Sequence, residues 1–235
     1  MFDVLTTHIL KRLEAFPDAM FRESELVDIS KKSFNQLVKD GFLEFDHYDE
    51  DGDSYFSDRM GDGGVQRTIR IRNNKATAFS TEEGVSTIEL AKPEITYYRF
   101  NLNKLIDQIR TQNQLEEQVD QIDERLFFVG STETTDGRVS VYLGLFDSPE
   151  ELEGSVRGLP GRVSTYARYV VITPFLRVEK QGVLKDLEKI KVRQMSFAEA
   201  FRSKSVKLKP KALVSGMSEK QPFSLKITGI MRGNG

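Results

Sequence analysis

The sequence has no cysteine, only two histidines and no long apolar run. Without cysteine, disulfides, thiolate zinc sites and thiol nucleophiles are all excluded. No window approaches the roughly 18 consecutive apolar residues that a membrane helix needs. The opening Met1-Phe2-Asp3-Val4-Leu5-Thr6-Thr7-His8 lacks the basic and apolar regions of a signal peptide. A cytoplasmic protein with no membrane partner is expected. His8 and His47 have no HExxH-like companion, and Gly61-Asp62-Gly63-Gly64 lacks the lysine, preceding strand and following helix of a phosphate loop. Asp186, Glu188 and Lys189 carry residue types found in metal-dependent nucleases, but they fall within one predicted helix rather than on paired strands. The expectation is therefore no catalytic residue, no cofactor and no metal, with a nuclease as the least favoured alternative.

What the chain does have is a charge split. Residues 155–235 carry 17 Lys and Arg against 5 acids, while residues 1–154 carry 17 basic against 31 acidic side chains. The near-neutral total of −2 hides this asymmetry. Clustered like charge points to a nucleic acid, a membrane surface or an oppositely charged protein, because its self-repulsion persists until a partner neutralises it. With 235 residues, 38% of them apolar and 16 Phe and 7 Tyr among them, the chain can bury one sizeable core or two modest ones. Two modest domains are expected.

Phe2, Leu5, Ile9, Leu13 and Phe16 recur at spacings of three and four, predicting an amphipathic helix that Pro17 stops. A second short helix fits Glu23–Ile29. Ser30 can cap a third over 31–39, which Gly41 ends. A strand at 42–45 and another at 68–72 would follow. The phrase Ser33-Phe34-Asn35-Gln36-Leu37-Val38-Lys39-Asp40-Gly41-Phe42-Leu43 resembles the recognition helix and turn of the winged helix-turn-helix superfamily, over roughly the first 45 residues. In that superfamily the helix enters the major groove of DNA. The resemblance implies that Lys31, Lys32, Asn35, Gln36 and Lys39 face nucleic acid; the alternative is a solvated helix face. The wing position departs from the pattern, since residues 46–64 hold seven acids and one Arg, and phosphate repels such a loop. A flexible acidic loop is favoured there over a calcium site, because Gly52 at position six of the calcium template places His47 at position one.

Alternation over Thr68–Arg72, the Asn73-Asn74 turn pair and 76–80 predict a hairpin, with further strands at 87–90 and 95–100. Tyr97, Tyr98 and Phe100 beside Arg99 could stack bases; a sheet alternating core and surface aromatics explains them as simply. Leu102, Leu105, Ile106, Ile109, Leu115, Val119, Ile122 and Leu126 predict one long helix over 102–126. Its role is a connecting helix, with a homodimer seam as the alternative. A hairpin through Asp136-Gly137, a helix opening at Ser148-Pro149, a buried strand at 169–174, a helix at 182–190 and a strand at 192–197 suggest a crossover unit in a mixed sheet.

The predicted fold class is thus α+β: a winged-helix-like N-terminal domain with extra β-hairpins (1–100), a connecting helix (101–125), a mixed-sheet α/β domain (126–203) and a basic strand-like segment (204–235). That last segment stops directly after a strand-like stretch, as a truncated portion of a longer protein would. The expected function is a non-enzymatic, nucleic-acid-associated or regulatory module, of the kind found by analogy of architecture in phage-related or plasmid systems. Duplex DNA is the favoured partner, held by Lys191, Arg193, Arg202, Lys204, Lys207, Lys209 and Lys211 together with the recognition-like helix. The alternative is a protein-interaction subunit in which acidic and basic surfaces meet, with an acidic protein as partner.

Overall fold

The computed structural model describes residues 3–56, 65–73, 75–117, 119–134, 137–159, 168–176, 178–179, 181–202, 205–209 and 213. It is a mixed α+β protein with six helices and three sheets among these residues. Among them no helix is long and apolar enough to cross a membrane.

Asp3 caps α1 (Val4–Ala15), its Oδ1 accepting the Thr6 N–H at 2.8 Å. A short strand β1 (Met20–Arg22) leads into α2 (Glu23–Lys39), which is broken at Ser30 by a non-helical residue (φ −166°, ψ 98°). The Ser30 hydroxyl accepts the Ser33 N–H at 3.3 Å, so α2 is two helices with Ser30 capping the second, as the sequence predicts. Gly41 (φ +71°) closes that helix: its own N–H donates to Val38 O and the Phe42 N–H to Leu37 O, a Schellman termination that needs the left-handed backbone glycine allows.

The return strand of the N-terminal sheet differs from expectation. Strand β2 (Leu43–Tyr48) pairs not with residues 68–72 but with β7 (Thr96–Phe100), which lies between β1 and β2. In this register the buried Leu43 faces the buried Phe100, and Phe45 faces Tyr98. Between β2 and β7 the chain builds a separate antiparallel sheet of β3 (Ser54–Phe56), β4 (Gln66–Arg72), β5 (Lys75–Phe79) and β6 (Ile88–Leu90). The reason is local. Asn73 takes a left-handed turn (φ +51°) that folds β5 straight back onto β4. The core of this sheet is small, built from Tyr55, Ile69, Ala76, Ala78 and Leu90. Residues 46–53 of the acidic stretch are not a flexible loop: Asp46 holds Arg99 and His47, the buried Asp49 lies 3.6 Å from Arg22, and Asp51 accepts the Ile71 N–H. Residues 57–64 lie outside the described residues.

Helix α3 (Leu102–Asn113) is half the predicted length. It ends where Gln114 turns left-handed (φ +51°), and the backbone of Glu116 then bridges to Ser131. Leu115, Val119, Ile122 and Leu126 therefore share no helix, and the proposed coiled-coil seam for a homodimer does not form. Instead β8 (Asp120–Gln121) borders a five-stranded sheet with β9 (Leu126–Thr134), β10 (Gly137–Gly144), β11 (Arg168–Thr173) and β12 (Val192–Ser196), ordered β12-β11-β10-β9-β8. β10, β11 and β12 run parallel, joined through α4 (Pro149–Val156) and α5 (Gln181–Lys189), so the expected crossover occurs twice. β11, central in the parallel part, is buried from Tyr169 to Thr173. A last short helix, α6 (Phe197–Ala200), follows β12.

One face of this sheet and the N-terminal helices share a single buried cluster running from Leu5, Ile9 and Leu10 through Ile106 and Ile109 to Val141, Ile172 and Met195. The junction is also polar. The Arg125 guanidinium donates to the carbonyls of Glu14 (2.6 Å), Leu145 (3.0 Å) and Ala15 (3.2 Å), tying the end of α1 to the residue that follows β10. The Glu14 carboxylate accepts the N–H groups of Phe175 and Leu176 after β11. Burial raises its pKa, against the pull of those two amides.

Candidate functional site

The second half of α2 presents its residues in two rows. Lys31, Asn35 and Lys39 form an exposed row, and the neighbouring row of Lys32, Gln36 and Asp40 borders a cavity of about 580 Å³. The opposite wall of this cavity comes from α3, through Leu105, Gln108 and Gln112, and its far end from Ser205. Leu10, Leu37, Phe42 and Phe100 form the apolar lining, and Asp3 and Ser33 complete the polar rim. A second depression of about 370 Å³ adjoins it, lined by Gln112, Asn113, Gln114, Thr134, Arg202 and Lys207. Gln112 lines both, so the two depressions flank the C-terminal turn of α3, and together they are called the groove below.

The chain after α6 is held there by Asn113. Its side-chain amide donates to Val206 O at 2.8 Å, and its Oδ1 accepts the Leu208 N–H at 2.7 Å. Val206 and Leu208 are buried while Lys207 is exposed. Alternation of lysine with apolar residues thus means an anchored segment whose lysine faces out. The Arg202 N–H donates to Lys207 O, and both cationic side chains are exposed. Lys31, Lys32, Lys39, Arg202 and Lys207 have no carboxylate within ion-pair distance among the described residues.

Lys32 and Gln36 line one depression and Arg202 and Lys207 the other, with Gln112 in the lining of both. Other predicted residues lie elsewhere. Lys191 sits in a left-handed turn (φ +58°) between α5 and β12, and Arg193 is half buried on β12, its pKa lowered by that burial; neither lines the groove. The Lys209 ammonium donates to Ala198 O in α6 at 2.6 Å, and Lys209 is not among the residues lining either depression. Lys204 and Lys211 lie outside the described residues. Gln36 donates to Asp40 at 2.8 Å, so its amide is partly committed within its own helix.

The aromatic residues of β7 are not offered for base stacking. Tyr97 lies parallel to His47 (4.8 Å between centroids) and accepts a hydrogen bond from Arg22 Nε. Tyr98 meets Phe34 edge-on, and Phe100 is buried. Among the described residues no group of three or more His, Asp or Glu could hold a metal ion, and Asp186 and Lys189 form an exposed ion pair at 2.6 Å along α5.

Sequence reasoning missed Gln108, Gln112, Asn113 and Ser205. A signal for Gln112 and Asn113 existed: the apolar stripe of the predicted long helix skips from Ile109 to Leu115, with these polar residues where the next turn should bury a side chain. No family model, characterised protein or solved structure matches the chain, so its own geometry carries the functional argument.

Proposed function

We propose that the protein is a non-enzymatic nucleic-acid-binding module of winged-helix type, which holds duplex DNA between the second half of α2 and the side chains of Arg202 and Lys207. The observation that carries this reading is that Lys32 lines one depression and Arg202 and Lys207 line another, with Gln112 common to both. Five exposed cations with no carboxylate within ion-pair distance among the described residues suit a phosphate backbone better than they suit one another. The order α1, β1, the two halves of α2, β2 and β7, with β7 between β1 and β2, supports the winged-helix resemblance. On that reading the β3–β6 sheet occupies the wing position. Asp3 and Asp40 at the cavity mouth favour phosphate contact at the exposed Lys31, Lys32 and Lys39 side chains over contact inside the cavity.

A second reading, a protein-interaction subunit, draws on Phe45 and Tyr48 of β2, which lie 4.7 Å apart by ring centroid and stay 50% and 43% exposed.

Fluorescence anisotropy with labelled duplex DNA separates the two. If all five cations meet phosphates, the slope of log affinity against log salt is about −4, and affinity falls by roughly two to three orders of magnitude between 50 and 200 mM salt. Micromolar or tighter binding at low salt with that slope is expected. No binding at low salt, together with self-association in light scattering that persists at high salt and is lost in Phe45→Ser, would replace the first reading with the second.

A further inference from the structure

We propose that the outer edge of β2 seats a segment of this same chain, Phe223-Ser224-Leu225-Lys226-Ile227-Thr228, as a further strand beside Phe45 and Tyr48. The contact does not involve the groove, so it stands independently of the nucleic-acid reading above. Among the described residues β2 is the outermost strand of the β1-β7-β2 sheet. An edge strand offers its backbone N–H and C=O groups to one more strand. The register, Leu43 opposite Phe100 and Phe45 opposite Tyr98, sets Leu43 and Phe45 on the face that α2 packs and Glu44 on the other. On the apolar face an aromatic row runs outward. Phe34 of α2 meets Tyr98 edge-on at 5.1 Å, Tyr98 meets Phe45 edge-on at 6.4 Å, and Phe45 meets Tyr48 at 4.7 Å between centroids. Phe34 buries the inner end of the row, while Phe45 and Tyr48 leave its outer end half exposed. Adjacent exposed aromatics on an open edge mark a contact surface.

Residues 214–235 lie outside the described residues. In the sequence, Phe223, Leu225 and Ile227 alternate with Ser224, Lys226 and Thr228, the same period of two that β2 carries. Set against β2, the three apolar side chains extend the aromatic row and Lys226 falls on the face of Glu44. Charge favours the same pairing. Residues 43–53 hold six acids and no Lys or Arg, whereas residues 214–235 hold Lys220, Lys226 and Arg232 against Glu219. The chain is also long enough. Leu213 lines the depression at the C-terminal turn of α3, and the 12 residues of that helix lead back about 18 Å to its start. There the Asn101 N–H donates to Phe42 O, and Phe45 lies three residues on, about 10 Å further. The ten steps from Leu213 to Phe223 reach up to about 33–36 Å, enough for the segment to arrive within its own molecule.

The chain has no cysteine and no tryptophan, so an introduced one reports alone. In the full chain, Phe45→Cys/Leu225→Cys under mild oxidation should form an intramolecular disulfide about tenfold faster than Ile71→Cys/Leu225→Cys, because a seated segment has a raised effective concentration at position 45. Ile71 is an apolar residue of β4 with comparable exposure, 38%. Equal rates for the two pairs overturn the seat. Disulfides that form only between two molecules overturn the occupant within the chain and give the edge to a second copy. Should the cysteine pairs fail to fold, Leu225→Trp decides: its emission should be blue-shifted, and adding Phe45→Ser should return it to the wavelength of solvated tryptophan. Emission that is the same with and without Phe45→Ser overturns the proposal.

Discussion

Replacing Arg125 with alanine should lower the stability of the protein by about 3 kcal/mol. The guanidinium is 24% exposed and donates to three backbone carbonyls, two of them in the last turn of α1, while lying 3.6 Å from Glu151. Those carbonyls belong to separate parts of the fold, and alanine leaves them facing one another without a donor. The same cation opposes the negative end of the α1 dipole, a favourable term that disappears with it. For a chain of this size the loss corresponds to a drop of roughly 6–12 °C in melting temperature. Arg125→Lys keeps the charge but cannot fork between carbonyls, so it should recover only part of the loss. A fall of less than about 1 kcal/mol in urea unfolding of the alanine variant would show that solvent replaces the guanidinium and that the α1 junction is held by apolar packing alone.

The second large effect concerns the groove. Lys32→Glu and Lys207→Glu together should weaken duplex DNA binding by roughly a hundredfold at low salt, about tenfold for each, and should reduce the steepness of the salt slope by about two. Both side chains are exposed, so each substitution should change folding stability by no more than about 0.5 kcal/mol. Reversing Lys191 provides the comparison: it shares the sign and the half of the chain, but does not line the groove, and its reversal should change affinity by less than about threefold. Equal losses from Lys191 and Lys207 would mean that net charge, rather than placement, governs binding.

Much of the architecture could be read from the residues because local rules dictated it. Ser30 and Gly41 bound the second half of α2 as capping chemistry predicts, and Ser148-Pro149 opens α4 with the Ser148 hydroxyl accepting the Glu151 N–H. The continuous apolar run of β11 marks a strand covered on both faces. Pairing across long stretches of chain was not legible. Residues 68–72 carry the alternation of a return strand as well as residues 96–100 do, and only the turn at Asn73, which closes β4 onto β5, decides between them. The length of α3 failed for a related reason. Leu115 and Leu126 are as buried as a helical stripe requires, but they are buried in a sheet domain, which periodicity alone cannot distinguish from a helix seam.

The candidate site was legible in its charges and not in its geometry. Lys32, Arg202 and Lys207 stand out by sign. Their neighbours across Gln112 are fixed by Asn113, whose amide pins the 206–208 backbone to the end of α3, and no sequence pattern announces a contact spanning 95 positions.

The most direct test of a shared groove is photo-crosslinking from Gln112, where the two depressions meet. With a benzophenone amino acid in place of Gln112, irradiation in the presence of labelled duplex DNA should give a covalent adduct at low salt that disappears at high salt and in the Lys32→Glu/Lys207→Glu background. DNA binding that persists while position 112 gives no adduct, and a probe at the exposed Lys191 does, would contradict the account and move the interface to the turn between α5 and β12.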